Sequence, residues 1–369
     1  MIIESLKLNN FRNYKSLYMD FSDSINILYG DNAQGKTNVL EAIYMCSSGK
    51  SHRGAKDKET IRFDQEEGHI QLVVKKNEIP YKIDIHLKKN KHKGIAINGL
   101  PIKKISEILG VINVIFFSPE DLTIIKNGPS ERRRFINTEL CQLDSFYTNN
   151  LINYTKVINQ RNDLLRELGF NYSKDLYETL DVWDMQLIRY GREIIKSRQD
   201  FIKTLNEIIP DIHRDITSGK EDIKVSYEPD VTIDDFEKNL KSNRERDIKY
   251  KNTSVGPHRD DMAFFIKGKD LRHFGSQGQQ RTAALSLKLS EIEITKMITK
   301  ETPVLLLDDV MSELDSSRQN KLLERINGIQ TVITCTGIEE FIRNRVQIDR
   351  IYSVVDGTAS LMKSYDGKE

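Results

Sequence analysis

INILYGDNAQGKTNVLEAIYM, residues 25–45, is an apolar run that meets a glycine, crosses a short polar loop and continues with the spacing of a helix. Within it, Gly30-Asp31-Asn32-Ala33-Gln34-Gly35-Lys36-Thr37 fits G-x-x-x-x-G-K-[ST], with a strand before it and a helix after it. Glycines let consecutive backbone N–H groups curl around phosphate oxygens, and the N-terminus of the following helix adds its positive end. Lys36 is placed to reach the β and γ phosphates of ATP, and the Thr37 hydroxyl to ligate Mg2+. Gly30, Asn32, Gly35, Lys36, Thr37 and Asn38 are the candidate nucleotide-binding residues of this segment. Binding follows from the loop; hydrolysis does not.

A second apolar run, Val304-Leu305-Leu306-Leu307, ends in Asp308-Asp309. A buried central strand looks like this when it delivers carboxylates to the carboxyl edge of a sheet, although a helix start capped by Asp would look similar. With a phosphate loop in the same chain the strand reading gains: Asp308 becomes the candidate metal ligand and Asp309 the candidate group that orients the attacking water.

The rest of the composition sets bounds. At 369 residues the chain is long enough for two or so domains. No stretch approaches the roughly 18 apolar residues that span a bilayer, and MIIESLKLNNF at the start alternates like a strand and lacks the layout of a secretory signal, so a cytoplasmic protein is expected. Cys46, Cys141 and Cys335 sit apart in apolar segments, which reads as buried thiols and not as a metal site. Lys and Arg number 56 against 55 Asp and Glu, so any nucleic-acid surface has to be a local patch.

Along the chain, residues 1–118 read as strands around one helix, with strands at 2–8, 25–29, 70–74, 81–87 and 94–98 and turn signals at Asn77, Lys91 and Asn98-Gly99. From 119 the pattern turns helical. Leucines and tyrosines recur at threes and fours over 140–158 and again over 176–194, predicting a helical hairpin whose turn lies at 169–174 and whose first helix is capped by Ser130. A charged stretch, 218–252, yields only a short helix at 233–240. Strand and helix alternation resumes from 253. The expected architecture is α/β, with an ATPase portion in two pieces, 1–118 and 253–369, flanking a helical insertion at 119–252.

A third element turns a generic nucleotide site into a family resemblance. Phe274-Gly275-Ser276-Gln277-Gly278-Gln279-Gln280-Arg281, ahead of a run of good helix formers, resembles the signature motif of ABC ATPases. Ser312-Glu313-Leu314-Asp315 resembles their D-loop, and Thr334-Cys335-Thr336 ends a strand where the family carries its switch residue. The opening LKLNNFRNY, residues 6–14, is similar to the chromosome-maintenance branch of SMC, Rad50 and RecF proteins. IFFSPEDL at 115–122, GPSERRRF at 128–135 and VGPHRDD at 255–261 narrow the resemblance to the bacterial RecF family of replication and repair proteins. An insertion this short, without a C-x-x-C hook, fits that family and not the long coiled coils of SMC or Rad50.

The resemblance implies an ABC-type ATPase head that dimerises head to tail on ATP, with Ser276, Gly278 and Gln279 of one copy meeting the phosphate held by the other. It implies ATP and Mg2+ as cofactors, weak DNA-stimulated hydrolysis, binding to DNA at gaps and single-strand/duplex junctions, and assistance to RecA loading with RecR and RecO. Lys36, Asp309 and Ser276 carry the catalysis in this reading, and Thr37 and Asp308 the metal. Arg12 is a candidate nucleotide contact, a surface charge beside Phe11 being the alternative. Arg53, with Lys56 beside it, sits where related heads couple DNA to turnover, and Lys88, Lys89 and Lys91 cluster at a hairpin tip, where a solvated loop is the competing reading. Arg132 to Arg134 open a helix whose dipole they oppose, so a compensating partner is expected, either Glu120 or Asp121 or DNA. His258-Arg259-Asp260-Asp261 reads as a structural loop near the nucleotide site, with a metal cluster as the weaker alternative.

This chain departs from the family pattern in places. Asp309 stands where transporters usually carry Glu, one methylene longer, so water is held less closely and slow turnover is expected. No glutamine marks the Q-loop, Glu120 being in its neighbourhood, and Thr334 or Thr336 replaces the switch histidine. A structural DNA-organising ATPase, or a transporter-type ATPase, are the alternatives; the second would leave little chain between Gly35 and Ser276, where this one has its whole helical insertion.

Overall fold

The computed structural model describes residues 1–171, 173–337 and 348–364. Contacts divide the chain into two units, Met1–Asp121 with Glu291–Glu369, and Leu122–Ser290. The first break lies close to the change of character expected at residue 119. The second falls inside the helix Gln277–Thr299 and not at 253. The reason is a strand the charged stretch concealed: Ile223–Glu228 pairs antiparallel with Asp261–Ile266, which draws residues 253–276 into the second unit.

The first unit holds two six-stranded sheets. One is antiparallel throughout, in the order Tyr14–Asp20, Ile2–Phe11, Glu67–Lys76, Ile79–Lys88, Gly94–Ile97, Leu100–Pro101. Strict alternation puts Leu6 and Leu8, Ile70 and Leu72, and Ile83 and Ile85 on a single buried face. Its tight turns use the residues that tolerate left-handed backbone: Asn77 and Glu78 have φ of 49° and 62°, Asn98 and Gly99 of 52° and 79°.

The second sheet of this unit runs Thr358–Ser364, Arg350–Val355, Ile25–Tyr29, Thr331–Cys335, Val304–Asp308, Val114–Phe117, parallel except at the Thr358–Ser364 edge. Its central strands are apolar runs because both faces are covered. The helix Lys36–Ser48 sends Val39, Leu40 and Ile43 into one core with Leu6, Leu72, Leu306 and Val332, all fully buried, each such side chain stabilising the fold by about 1.5–3 kcal/mol. One register matters most for chemistry: the strand Thr331–Cys335 lies between the strand that leads into the phosphate loop and the strand that ends in the two acids.

The second unit is built on Pro129–Leu143, Ser145–Leu168 and the 43-residue Lys174–Ile216, with the small sheet packed on the last. Ser145–Leu168 and Lys174–Ile216 pack together as the expected hairpin; Tyr172 of its turn lies outside the described residues. Ser130 is not the cap. Helix Pro129–Leu143 starts two residues earlier than that cap would place it, because Pro129 presets φ at the first helical position, and Gly128 is the N-cap. The periodicity over 140–158 also hides a break, where Asp144 leaves the helical region and its carboxylate accepts from Phe146 N at 2.7 Å to start the next helix. The helix expected at 233–240 appears as Phe236–Ser242, followed by Arg244–Tyr250.

Polar groups hold this unit internally. Arg161, fully buried, donates to Asp184 (2.6 Å), Asp247 (2.7 Å) and Thr253 (2.9 Å), and Arg244 closes the set on Asp184. Arg132 forks onto Asp261 at 2.6 and 2.8 Å, so its partner is Asp261 and neither Glu120 nor Asp121. Arg133 donates to Asp260 O at 2.7 Å, and Arg134 faces Glu131 at 4.0 Å. The His258–Asp261 loop is structural: Asp260 accepts from Arg198 (2.6 Å) and from Tyr227, and burial drives the His258 imidazole down to about 4, leaving it neutral opposite the Tyr154 hydroxyl at 2.7 Å. No helix among the described residues is long and apolar enough to cross a membrane.

Candidate nucleotide site

The loop at 30–37 is shaped by two glycines that nothing else can replace. A Cβ on Gly35, at φ 115°, would stand 2.6 Å from Asn13 Nδ2 and 3.0 Å from the Tyr14 hydroxyl; one on Gly30 would stand 2.3 Å from Val354 O. Gly35 is the N-cap of the helix Lys36–Ser48, so the free N–H groups of its first turn open into the loop. Lys36, 4% exposed, donates from Nζ to Gly30 O (2.7 Å) and Asp31 O (2.9 Å), which holds the ammonium inside the curve of backbone. Asn32 is exposed at its tip.

The acid pair reaches the same place through the neighbouring strands. Thr37 Oγ1 donates to Asp308 Oδ1 at 2.8 Å. Thr334, fully buried on the intervening strand, donates to the same Asp308 oxygen at 2.8 Å and accepts from Asp309 N at 2.9 Å. One hydroxyl thus ties both acids together. Asp309 takes φ 52°, a left-handed backbone that costs a non-glycine residue about 1 kcal/mol, and its neighbours keep it there. Burial pushes its carboxyl up, Lys36 pulls it back and Asp308 adds to the rise, so the net displacement is upward.

Asn13 was not visible as a site residue, yet it braces the loop from behind. Its Nδ2 donates to Gln34 O at 2.8 Å, and its Oδ1 accepts from Asn38 Nδ2 at 2.9 Å. The Tyr14 phenol, pushed up by burial and therefore protonated, donates to Gly35 O at 3.1 Å. From the far end of the chain Asp356 N donates to Gln34 Oε1 at 2.6 Å. Arg12 is engaged elsewhere: it forks onto Glu41 at 2.8 and 2.6 Å and donates to Glu59 O at 2.8 Å. Two of its N–H groups stay uncommitted by those bonds, which is what a nucleotide contact would have to use. Glu41 is fully buried; burial raises its carboxyl, but Arg12 and Ser51 outweigh that and hold it below the ordinary range.

The donor set fits a triphosphate with Mg2+. A glycine cradle, a helix start, an ammonium and two hard oxygen ligands, Thr37 and Asp308, converge on the loop, and Mg2+ takes one or two protein ligands and completes its shell from phosphate and water. Of the two threonines at the end of that strand, Thr334 touches the acids and Thr336 is exposed. Glu120 is exposed in the turn after Val114–Phe117.

The signature residues belong to the second unit. Ser276 and Gly278 are exposed, and Ser276 with Gln279 forms a reciprocal capping box: Ser276 N donates to Gln279 Oε1 (2.9 Å) and Gln279 N to Ser276 Oγ (3.2 Å). Gly278 has no left-handed φ, and a Cβ there would meet only Ser276 Oγ at 4.0 Å.

Among the basic candidates, Arg53 and Lys56 are exposed beside the phosphate-loop helix. The Arg53 segment is fixed: His52 stacks on Phe116 with centroids 4.1 Å apart, Ser51 donates to Glu41, and Arg53 Nη1 reaches Asn38 Oδ1 at 3.4 Å. Lys88 and Lys89 are drawn into ion pairs with Glu67 and Glu66, each at 3.1 Å, which leaves Lys91 as the more available charge of the hairpin.

Comparison with known proteins places the chain in a family. The model of the RecF/RecN/SMC N-terminal domain matches residues 2–360. A DNA replication and repair protein RecF from Lachnospira eligens is 61% identical over 357 residues, 97% of this chain and 98% of that protein, and one from Clostridium acetobutylicum is 47% identical over 359 residues, 95% and 98% of the two chains. A solved RecF–ATP structure from the RecFOR pathway superposes with a TM-score of 0.91 at 36% identity, covering 98% of both chains. The Pyrococcus furiosus Smc head domain shares the fold, with a TM-score of 0.58 at 17% identity over 99% of this chain and 97% of that one. The chain belongs to the RecF family, within the larger group of RecF, RecN and SMC head domains.

Proposed function

We propose that this protein is an ATP-dependent DNA-binding switch of recombinational repair and replication-fork maintenance: it binds ATP and Mg2+, dimerises on ATP, engages DNA at gaps and junctions, hydrolyses ATP slowly and assists RecA loading with RecO and RecR. The observation that carries the reading is the single constellation of Lys36, Thr37, Asp308, Thr334 and Asp309. A RecF–ATP structure at 36% identity supports ATP as the nucleotide.

In this mechanism the backbone N–H groups of 30–37 and Lys36 hold the phosphates. Mg2+ supplies charge neutralisation on the phosphate oxygens. Thr37 and Asp308 hold that metal, and their mutual hydrogen bond sets them side by side for it. Asp309, fixed through its own N–H by Thr334, orients the attacking water. Its short side chain favours slow turnover, suited to timing a DNA-bound state and not to doing work.

The head-to-tail dimer is supported by the signature residues. Ser276 is exposed, its hydroxyl accepts from Gln279 and keeps its proton free to donate, and nothing in its own unit requires glycine at 278. An outside surface that approaches closely would. DNA contact falls to Arg53 and Lys56, with Lys91 as the hairpin's contribution, Arg12 completes the nucleotide contacts, and a cytoplasmic location follows from the role. The test compares ATP turnover of wild type and Asp309→Asn with and without gapped duplex DNA. The reading expects weak stimulation by DNA in wild type and accumulation of a DNA-bound dimer in Asp309→Asn; turnover that ignores DNA, with no dimer trapped, refutes it.

A further inference from the structure

The charged stretch after residue 218 has no part in the site so far, and one of its carboxylates touches the signature motif. Glu221 Oε1 accepts from Gln279 Nε2 at 2.8 Å. The Gln279 side chain is the member of the capping box that receives Ser276 N, so a single amide stands between Glu221 and the backbone of Ser276. That amide has two faces and both are specified. A backbone N–H can only donate, so the oxygen must point to Ser276; a carboxylate can only accept, so the NH2 must point to Glu221. Without Glu221 the amide loses the partner that forbids its flipped orientation, and a flipped amide would set NH2 against the Ser276 N–H.

The long helix also approaches this turn: the other Glu221 oxygen lies 3.6 Å from Nε2 of the fully buried His213, beyond hydrogen-bond reach, and His213 Nδ1 meets Ser286 Oγ at 2.9 Å. Ser286 in turn donates to Thr282 O, and Thr282 to Gly278 O, both at 2.8 Å. Glu221 thus reaches the Ser276 backbone through the Gln279 amide, while Thr282 and Ser286 bond back to carbonyls one turn earlier in their own helix.

We infer that Glu221 is a positioning residue for the signature motif: it fixes the Gln279 amide and thereby the direction in which Ser276 presents its hydroxyl to a second copy of this chain. This rests on the proposed trans site. A hydrogen bond to a charged group contributes enough to change an equilibrium by about tenfold when it is lost.

The experiment measures ATP-driven dimerisation of the full chain by sedimentation velocity, with fluorescent-ATP binding and thermal unfolding on the same samples, for Glu221→Ala, Glu221→Gln, Gln279→Ala, the double variant Glu221→Ala/Gln279→Ala, and Ser276→Ala. Expected are a dimerisation constant weakened about tenfold in Glu221→Ala, near-normal behaviour in Glu221→Gln because its carbonyl still accepts from Gln279, and a double variant no worse than Gln279→Ala alone. Monomer ATP binding should not change, since Glu221 lies outside the phosphate-loop unit. Wild-type dimerisation in Glu221→Ala beside a defective Ser276→Ala overturns the positioning role alone. Wild-type dimerisation in Ser276→Ala overturns the trans site and this inference with it. Additive losses in the double variant, or equal loss in Glu221→Gln and Glu221→Ala, also overturn it.

Discussion

Replacing Thr334 by Val keeps the shape of a fully buried strand residue and removes one hydroxyl. That hydroxyl makes two bonds, a donation to Asp308 Oδ1 at 2.8 Å and an acceptance from Asp309 N at 2.9 Å. A hydrogen bond to a charged group contributes about 1.5–3 kcal/mol and a neutral one about 0.5–1.5 kcal/mol. Water can reach the half-exposed acids and recover part of this, so a net loss of about 2 kcal/mol is expected at the site. Asp309 then keeps the Ser312 Oγ donation to its carbonyl at 2.8 Å but loses the anchor on its N–H, and relaxation of its left-handed backbone would carry its carboxylate away from the water it orients. The loss should appear in the chemical step: a fall of roughly 30-fold in single-turnover hydrolysis, by the rule that about 1.4 kcal/mol is tenfold, with ATP affinity changed much less. Thr334→Ser, which keeps the hydroxyl, should retain most of the rate. The assay is single-turnover hydrolysis with excess protein, alongside equilibrium binding of a fluorescent ATP analogue. Wild-type hydrolysis in Thr334→Val, or an equal defect in Thr334→Ser, would show that the hydroxyl bridge does not organise the acids.

Other consequences follow from the same geometry. A carboxyl whose folded-state pKa is raised favours folding while protonated and loses that advantage as pH rises through the folded value, so ionised Asp309 destabilises the protein at neutral pH. Asp309→Asn, which also suits the left-handed backbone, should therefore unfold at a higher temperature than wild type at pH 7, with the gap closing below the ordinary carboxylate range near pH ~4; a less stable Asn variant at pH 7 contradicts the shift. Asn13→Ala removes the brace on Gln34 O and Asn38 and should weaken fluorescent-ATP binding about tenfold while leaving the melting temperature nearly unchanged; intact affinity would mean the loop holds its shape alone. Arg161→Met leaves Asp247 without its buried guanidinium and should destabilise the second unit by about 3–5 kcal/mol, read by hydrogen exchange in helices Ser145–Leu168 and Lys174–Ile216; unchanged protection there would show the pair to be dispensable.

What could be read from sequence was local. The phosphate loop declares itself in eight consecutive residues, because glycine, lysine and threonine at fixed spacing answer one chemical need. The acid pair follows from an apolar run that stops abruptly. Thr334, by contrast, is an ordinary strand threonine until the parallel register sets it beside Asp308, and nothing in the chain near it announces that contact. Asn13 and Asp356 brace the same loop from opposite ends of the chain, a fact that belongs to topology. The strand Ile223–Glu228 was hidden because its alternation is short and set among charges, and losing it moved the expected return to the ATPase portion from inside the helix Gln277–Thr299 to residue 253. Arg12 shows the remaining difficulty: an arginine beside a nucleotide loop can serve ligand or protein, and here a buried Glu41, about one helical turn past the motif, takes its fork.

The central claim is that the ATP site is shared between two copies, Lys36 from one and Ser276 from the other. It is tested most directly by mixing Lys36→Ala with Ser276→Ala and measuring ATP turnover against each variant alone. A shared site gives the mixed dimer one complete set of residues, so the account predicts two nearly inactive proteins that regain a substantial part of wild-type turnover when combined. A mixture as inactive as its components would contradict it.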